Sequence, residues 1–160
     1  MVFVRADTAE GQSIRARAHR IAYDIAQNIA NRKGLKMEIH EITPGYLERT
    51  SVTLPPGMSV TIDDSCALVF CGFYNNETTG NVGILRIQRG NEFLADLNLL
   101  PIAMFAEDKR GVDAGFEKWG VWKEGEDLSL GFRDPVPTAD VKVFPVGYVI
   151  VPEGKVDIVR

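Results

Sequence analysis

Two histidines, two cysteines and a few acidic clusters are the side chains of this chain with the means to do chemistry. His19 and His40 stand apart, with no His-x-His, Cys-x-x-Cys or His-Glu-x-x-His spacing, so the usual zinc and iron sites lack the ligands they need. Cys66 and Cys71 lie in one apolar run with no histidine beside either, and no Gly-x-Ser-x-Gly occurs, which leaves nucleophilic catalysis without recognisable machinery. Five residues is an odd separation, so on a regular strand the two thiols point to opposite faces and no bridge between them is expected. Gly80-Asn81-Val82-Gly83 lacks the third glycine and the following helix of a phosphate cradle. Asp63-Asp64, Glu107-Asp108, and Glu124 with Glu126 and Asp127 carry the oxygen ligands that a hard cation such as calcium takes, but acidic turn residues are most often solvated. No metal and no other cofactor is expected.

Aromatic residues give a different chemistry. Tyr74, Trp119 and Trp122 are the candidates for a platform that stacks on sugar rings, as β-sandwiches often present. The two tryptophans are three residues apart, which on a regular strand turns them to opposite faces and puts at least one in a core. Carbohydrate binding through these three residues is therefore the alternative to a purely structural role.

Behind these residues the chain has two regimes. From Thr8 the apolar residues Ile14, Ala18, Ile21, Ala22, Ile25 and Ile29 recur at three- and four-residue intervals, the stripe of an amphipathic helix over about residues 9–32. Thr8 is placed to cap it, Glu10 favours its first turn, Arg32 and Lys33 suit its last, and Gly34 supplies a left-handed stop. Its stripe needs one partner, either the chain's own sheet or equivalent helices of neighbouring subunits. Ahead of it Val2, Phe3 and Val4 form a short arm apolar enough to want a surface.

After Gly34 the period falls to two. Strands are expected at 36–43, 46–54, 58–62, 66–74, 82–89, 92–97, 116–123, 127–133 and 141–151, punctuated by Pro44-Gly45, Pro55-Pro56-Gly57, Gly90-Asn91 and other turn residues. Leu128, Leu130 and Phe132 alternate most cleanly, while Cys66 to Tyr74 is the most apolar run and the natural central strand. Nine or ten short strands at this spacing specify a mainly β chain, an antiparallel sandwich behind one long N-terminal helix. Residues 1–34 are the arm and helix, residues 35–160 the sandwich, and the two are expected to form one compact unit.

At 160 residues and 45% apolar composition, the chain can bury a core without metals or disulfides. Residues 1–36 carry seven basic and three acidic side chains, so a basic helix precedes an acidic body within a net charge of −4. That balance argues against direct nucleic-acid binding and against attraction to an anionic membrane. No apolar run approaches a bilayer span and no secretory leader is evident, so a soluble cytoplasmic protein made and used without export is expected, and free thiols fit a reducing compartment.

The segment from Trp119 to Val151 has an apolar strand, a Lys123-Glu124-Gly125-Glu126-Asp127 turn, a Leu128-x-Leu130-x-Phe132 strand and a closing Gly147-Tyr148-Val149-Ile150-Val151 strand. It resembles the closing hairpins of jelly-roll proteins, in particular the single jelly-roll capsid and decoration proteins of phages, and more distantly the trimeric tumour necrosis factor-like domains. Pro55-Pro56-Gly57 also has a cupin flavour, but the histidine cluster of a cupin is missing. The phage resemblance implies a non-enzymatic virion subunit, assembled in the host cytoplasm, that packs as a homo-oligomer, a trimer above all, beside other capsid proteins. It further implies that the arm and helix reach over a neighbour through Val2, Phe3, Val4, Ile14, Ala18, Ile21, Ile25 and Ile29. A minimal jelly roll does not need that helix.

Overall fold

The computed structural model describes residues 3–42, 58–77, 82–135, 142–155 and 158. Helix α1 runs from Ala9 to Lys33 and has the ends its sequence specifies. Thr8 Oγ1 accepts from Gly11 N–H at 3.1 Å, Gly34 takes φ 67°, and the Gly34 N–H donates to Ala30 O at 2.9 Å. Gly11 is obligatory at this end, because a β-carbon there would collide with the backbone of Arg5 and Ala6.

Ten strands are present among the described residues: β1 (Val4–Arg5), β2 (Met37–Glu41), β3 (Met58–Thr61), β4 (Ala67–Asn75), β5 (Ile84–Arg89), β6 (Glu92–Asn98), β7 (Arg110–Val112), β8 (Val121–Trp122), β9 (Asp127–Arg133) and β10 (Val143–Pro152). They form two antiparallel sheets. The first has the order β1-β7-β4-β10-β2, with β8 also paired to β4, and the second has the order β3-β9-β5-β6. The chain is thus a mainly β, sandwich-like fold with one long helix at its N-terminus.

Burial along the strands shows how the layers stack. In β9 every second residue, Leu128, Leu130 and Phe132, is buried, so that strand has one face on the core and one in water. Strands β4 and β10 are buried almost throughout, the mark of a sheet covered on both sides. Helix α1 provides the second cover, lying across β10, β4, β2 and β7. The order is helix, first sheet, second sheet, and a single apolar cluster runs through all three.

Four local features depart from the sequence expectations. Phe116–Lys118 is a turn of 3-10 helix instead of the start of a strand, and only Val121–Trp122 pairs with β4. Arg110–Val112, which falls in none of the expected strands, is a strand because it fits between β1 and β4. Leu100–Ala103 makes one helical turn within the irregular stretch. The fourth concerns the cysteines. Register along β4 and β10 passes from Gly72 opposite Val146 to Phe70 opposite Gly147, which leaves Cys71 as the extra residue of a bulge. A bulge at Cys71 reverses the alternation only from Gly72 onward, and Cys66 and Cys71, which precede that change, are both free and buried. The strand expected at 46–54 lies outside the described residues. No helix among the described residues is long and apolar enough to cross a membrane.

Candidate interaction surfaces

The helix stripe is consumed within the chain. Ile14, Ala18 and Ile29 are buried against the first sheet, and Ile21 and Ile25 are half-buried at the margin. The arm is occupied as well: Phe3 is in the core and Val4 pairs with Val112, while Val2 lies outside the described residues. Of the seven described residues among the eight expected to reach a neighbour, Ile21, Ile25 and the edge of Val4 keep surface to offer. The physical reason is the first sheet, whose outer face is as apolar as its inner one and takes the stripe itself.

The sugar platform does not form. Trp119 is 1% exposed and stacks on Phe73 with ring centres 5.8 Å apart, while Trp122 is fully buried and donates its indole N–H to Trp119 O at 3.0 Å. Tyr74, the next residue along β4 from Phe73, turns to the other face and stacks on Phe144 at 6.2 Å. Both tryptophans are core because Phe116–Lys118 coils where a strand was expected, which removes the alternation that would have sent one outward.

Acidic clusters are neutralised by neighbours. Lys155 Nζ lies 2.6 Å from Asp63, Arg110 brackets Asp108, Arg89 Nε lies 2.7 Å from Glu126, and Thr61 donates to Asp127 at 2.6 Å. Among the described residues no three of His, Cys, Asp and Glu converge as metal ligands. His19 meets Tyr148 edge-to-face at 5.0 Å, and His40 Nε2 lies 3.8 Å from Glu38 Oε2 on the same strand.

Two grooves flank α1. The first, about 380 Å³, runs between Ile21, Ile25 and Ile29 on the helix and Cys66, Ala67 and Val121 on the sheet, with Glu124 at its end. A compact polar knot closes it. Lys33 Nζ donates to Glu124 Oε2 at 2.6 Å, Asp64 Oδ1 at 2.9 Å and Ser65 Oγ at 3.0 Å, and Ser65 N–H donates to Glu124 Oε2 at 2.7 Å. Ser65 holds φ 61°, a left-handed conformation that these bonds stabilise.

Serine beside lysine is the geometry of a nucleophile and its base, but the charges oppose that use. The hydrogen bonds that Lys33 donates to Glu124 and Asp64 raise its pKa, so the ammonium keeps its proton and cannot take one from Ser65. Burial pushes the Cys66 thiol up to about 11 and the Cys71 thiol up to about 12, so neither is a thiolate near neutrality. The knot serves to pin the helix C-terminus to the sheet.

Glu124 in that knot gives a pH prediction. The Lys33 hydrogen bond, with help from Ser65 N–H, pulls its pKa from 4.5 down to about 2. A depressed carboxylate contributes stability that is present above pH 4.5 and lost as the pH falls toward about 2. Glu124→Gln should cost about 1–2 kcal/mol at pH 7, and its deficit relative to the parent should shrink through that acid window. Urea melts of both proteins at pH 7 and pH 3 measure it; a constant difference would place the acid-sensitive contribution elsewhere.

The second groove, about 430 Å³, lies on the opposite flank, between α1 and β2. Its walls include Tyr23, Ala26, Leu35, Met37 and Ile39. Tyr23 is 52% exposed and Leu35 37%, unusual values for large apolar side chains clustered in one place. Sequence reasoning passed over both. The signal was there, since Tyr23 falls off the helix stripe on an otherwise polar flank and Leu35 follows the helix stop. Beside the groove β2 closes the first sheet, with a paired strand on its β10 side only among the described residues. This groove is the largest gathering of exposed apolar side chains beside α1 among the described residues. Compared with known protein families, curated proteins and solved structures, the chain matches none.

Proposed function

We propose that this chain is a self-assembling structural subunit of jelly-roll type, one that builds or decorates a virion capsid and acts through contact instead of turnover. The observation that carries the reading is the groove between α1 and β2, where the large apolar side chains of Tyr23 and Leu35 stand exposed beside Met37 and Ile39 and burial against another molecule is on offer. The strand order supports the jelly-roll part. Taken in chain order, β2, β4, β7 and β10 belong to one sheet and β3, β5, β6 and β9 to the other, in the spatial orders β2-β10-β4-β7 and β3-β9-β5-β6. Eight strands wound between two sheets in this way are the arrangement used by many capsid subunits.

The surface charge agrees with packing as the means of action. Most described carboxylates near the loops are matched by a lysine or arginine, which leaves a surface of paired charges around the apolar strip. Electron microscopy of the concentrated protein tests the reading. Rings or closed shells of uniform size are expected, whereas a field with no particle larger than a single chain would overturn it.

A further inference from the structure

We propose that copies of this chain meet head to tail, with Phe93 of one seated in the first groove of the next, between Ile21 and Ile25 on α1 and Ala67 and Val121 on the first sheet. This deepens the assembly reading above and rests on it. A bulge supplies the knob. Phe93, Ala95 and Leu97 are two apart in β6, so unbroken alternation would send all three to the core, where Ala95 and Leu97 lie. Register along β5 and β6 passes from Ile87 opposite Ala95 to Gln88 opposite Phe93, which makes Leu94 an extra residue and turns Phe93 to the water-facing side. The ring is 54% exposed on the outer face of the second sheet, beside the Gly90-Asn91 turn. Arg86 lies over it with the guanidinium carbon 5.2 Å from the ring centre, which covers one side and limits where the ring can point. A bulge that takes a large apolar side chain out of a core and holds it in water is the arrangement of a contact residue.

The first groove supplies the hole. At about 380 Å³ it has room for one large side chain and its flanks, and its floor is aliphatic. Ile21 and Ile25 are only half-buried there, so part of the helix stripe still lacks a cover. The charges fit as well. Asp24 on the helix lip and Lys123 on the sheet lip have side chains with no ion pair or hydrogen bond among the described residues, and they differ in sign. The flanks of Phe93 also differ in sign. Arg86 rides on the ring and shares the Asp96 carboxylate with Arg133, while Glu92, next in the chain, has a carboxylate without a partner among the described residues. Setting Arg86 toward Asp24 and Glu92 toward Lys123 gives one orientation in which both unmatched lips are answered. Helix and second sheet are the outer layers, so knob and hole lie on opposite sides of the chain. A contact between unlike patches closes into a ring or runs on as a filament. Three is the smallest such ring, the trimer that the phage resemblance implies.

Cross-linking between two variants of the full chain tests the contact. Gln88 lies opposite Phe93 in the ladder and Asn28 lies on the helix lip, both outside the core. Gln88→Cys and Asn28→Cys, purified apart, mixed and treated with a short bismaleimide, are expected to give a covalent dimer joined 88 to 28, identified by peptide mass spectrometry. Neither variant treated alone is expected to give one. Cys66 and Cys71 are buried and do not compete. Two further variants leave the core untouched and are read by light scattering over a dilution series, with circular dichroism to show that they fold. Phe93→Ala should weaken association about tenfold and Asp24→Lys about fivefold. Assemblies that form without the 88-to-28 product, or in which each variant cross-links to itself, or that Phe93→Ala does not loosen, would overturn this contact and leave the assembly reading standing. A monomer at every concentration would overturn both.

Discussion

Removing residues 1–34 is expected to cost the fold outright, giving insoluble or molten protein without a cooperative melt. The helix residues Ile14, Ala18, Ala22, Ala26 and Ile29 are buried, and beneath them lie Ala67, Val69 and Ile150 on the outer face of the first sheet. Uncovering both sides forfeits burial on the order of 10 kcal/mol, which is as large as the whole stability of a domain. Such a loss leaves no margin. Near-UV circular dichroism and thermal melting of the chain beginning at Leu35 measure it. A folded, cooperatively melting product would mean that the helix is an appendage, as its separation from a minimal jelly roll first implies.

Trp119→Ala should be the most damaging single substitution, lowering stability by about 3–5 kcal/mol and the melting temperature by on the order of 10 °C. Trp119 fills the space between Phe70, at 5.6 Å, and Phe73, at 5.8 Å, and no small rearrangement of two strand residues can close the resulting hole. Trp119→Phe provides the contrast. Among the described residues the buried Trp119 indole nitrogen meets no hydrogen-bond partner, so the phenyl ring keeps most of the stacking and gives up a donor with nothing to bond. Its expected cost is under about 1.5 kcal/mol. Chemical denaturation of the two variants checks the pair; equal losses would show that the indole itself holds the cluster together.

Helix α1 could be read from the sequence to within a residue because its signals are local: a threonine cap, a glycine stop and an apolar stripe of fixed period. Strand β9 was equally plain from Leu128, Leu130 and Phe132, since one covered face imposes alternation. Strand β7 was not, because Arg110, Gly111 and Val112 have no strand character of their own and are held by β1 and β4 from distant parts of the chain. The bulge at Cys71 is likewise a property of a pair of strands and leaves little trace in either one alone. It changes the alternation only from Gly72 onward, past both thiols. The destination of the helix was more legible than it looked. Continuous burial in β4 and β10 requires a cover on each side, and the apolar runs Ala67 to Phe73 and Val146 to Val151 already lack the polar alternation of a sheet with one wet face.

The candidate surface divides in the same manner. Met37, Glu38, Ile39 and His40 alternate in the sequence, so the strand was evident. That β2 pairs with β10 depends on the order in which strands assemble, and that Tyr23 and Leu35 gather beside it depends on the docking of the helix. Neither is written at any one position. Of the stripe residues that the phage resemblance sets against a neighbour, Ile14, Ala18 and Ile29 are buried within the chain, and the proposed contact surface lies one flank away.

Size-exclusion chromatography with light scattering, run over a range of concentrations on the unmodified chain, is the most direct measurement of whether this protein works by association. The account predicts a mass that is a multiple of 17.7 kDa and holds at micromolar concentration. A mass of 17.7 kDa throughout would contradict it.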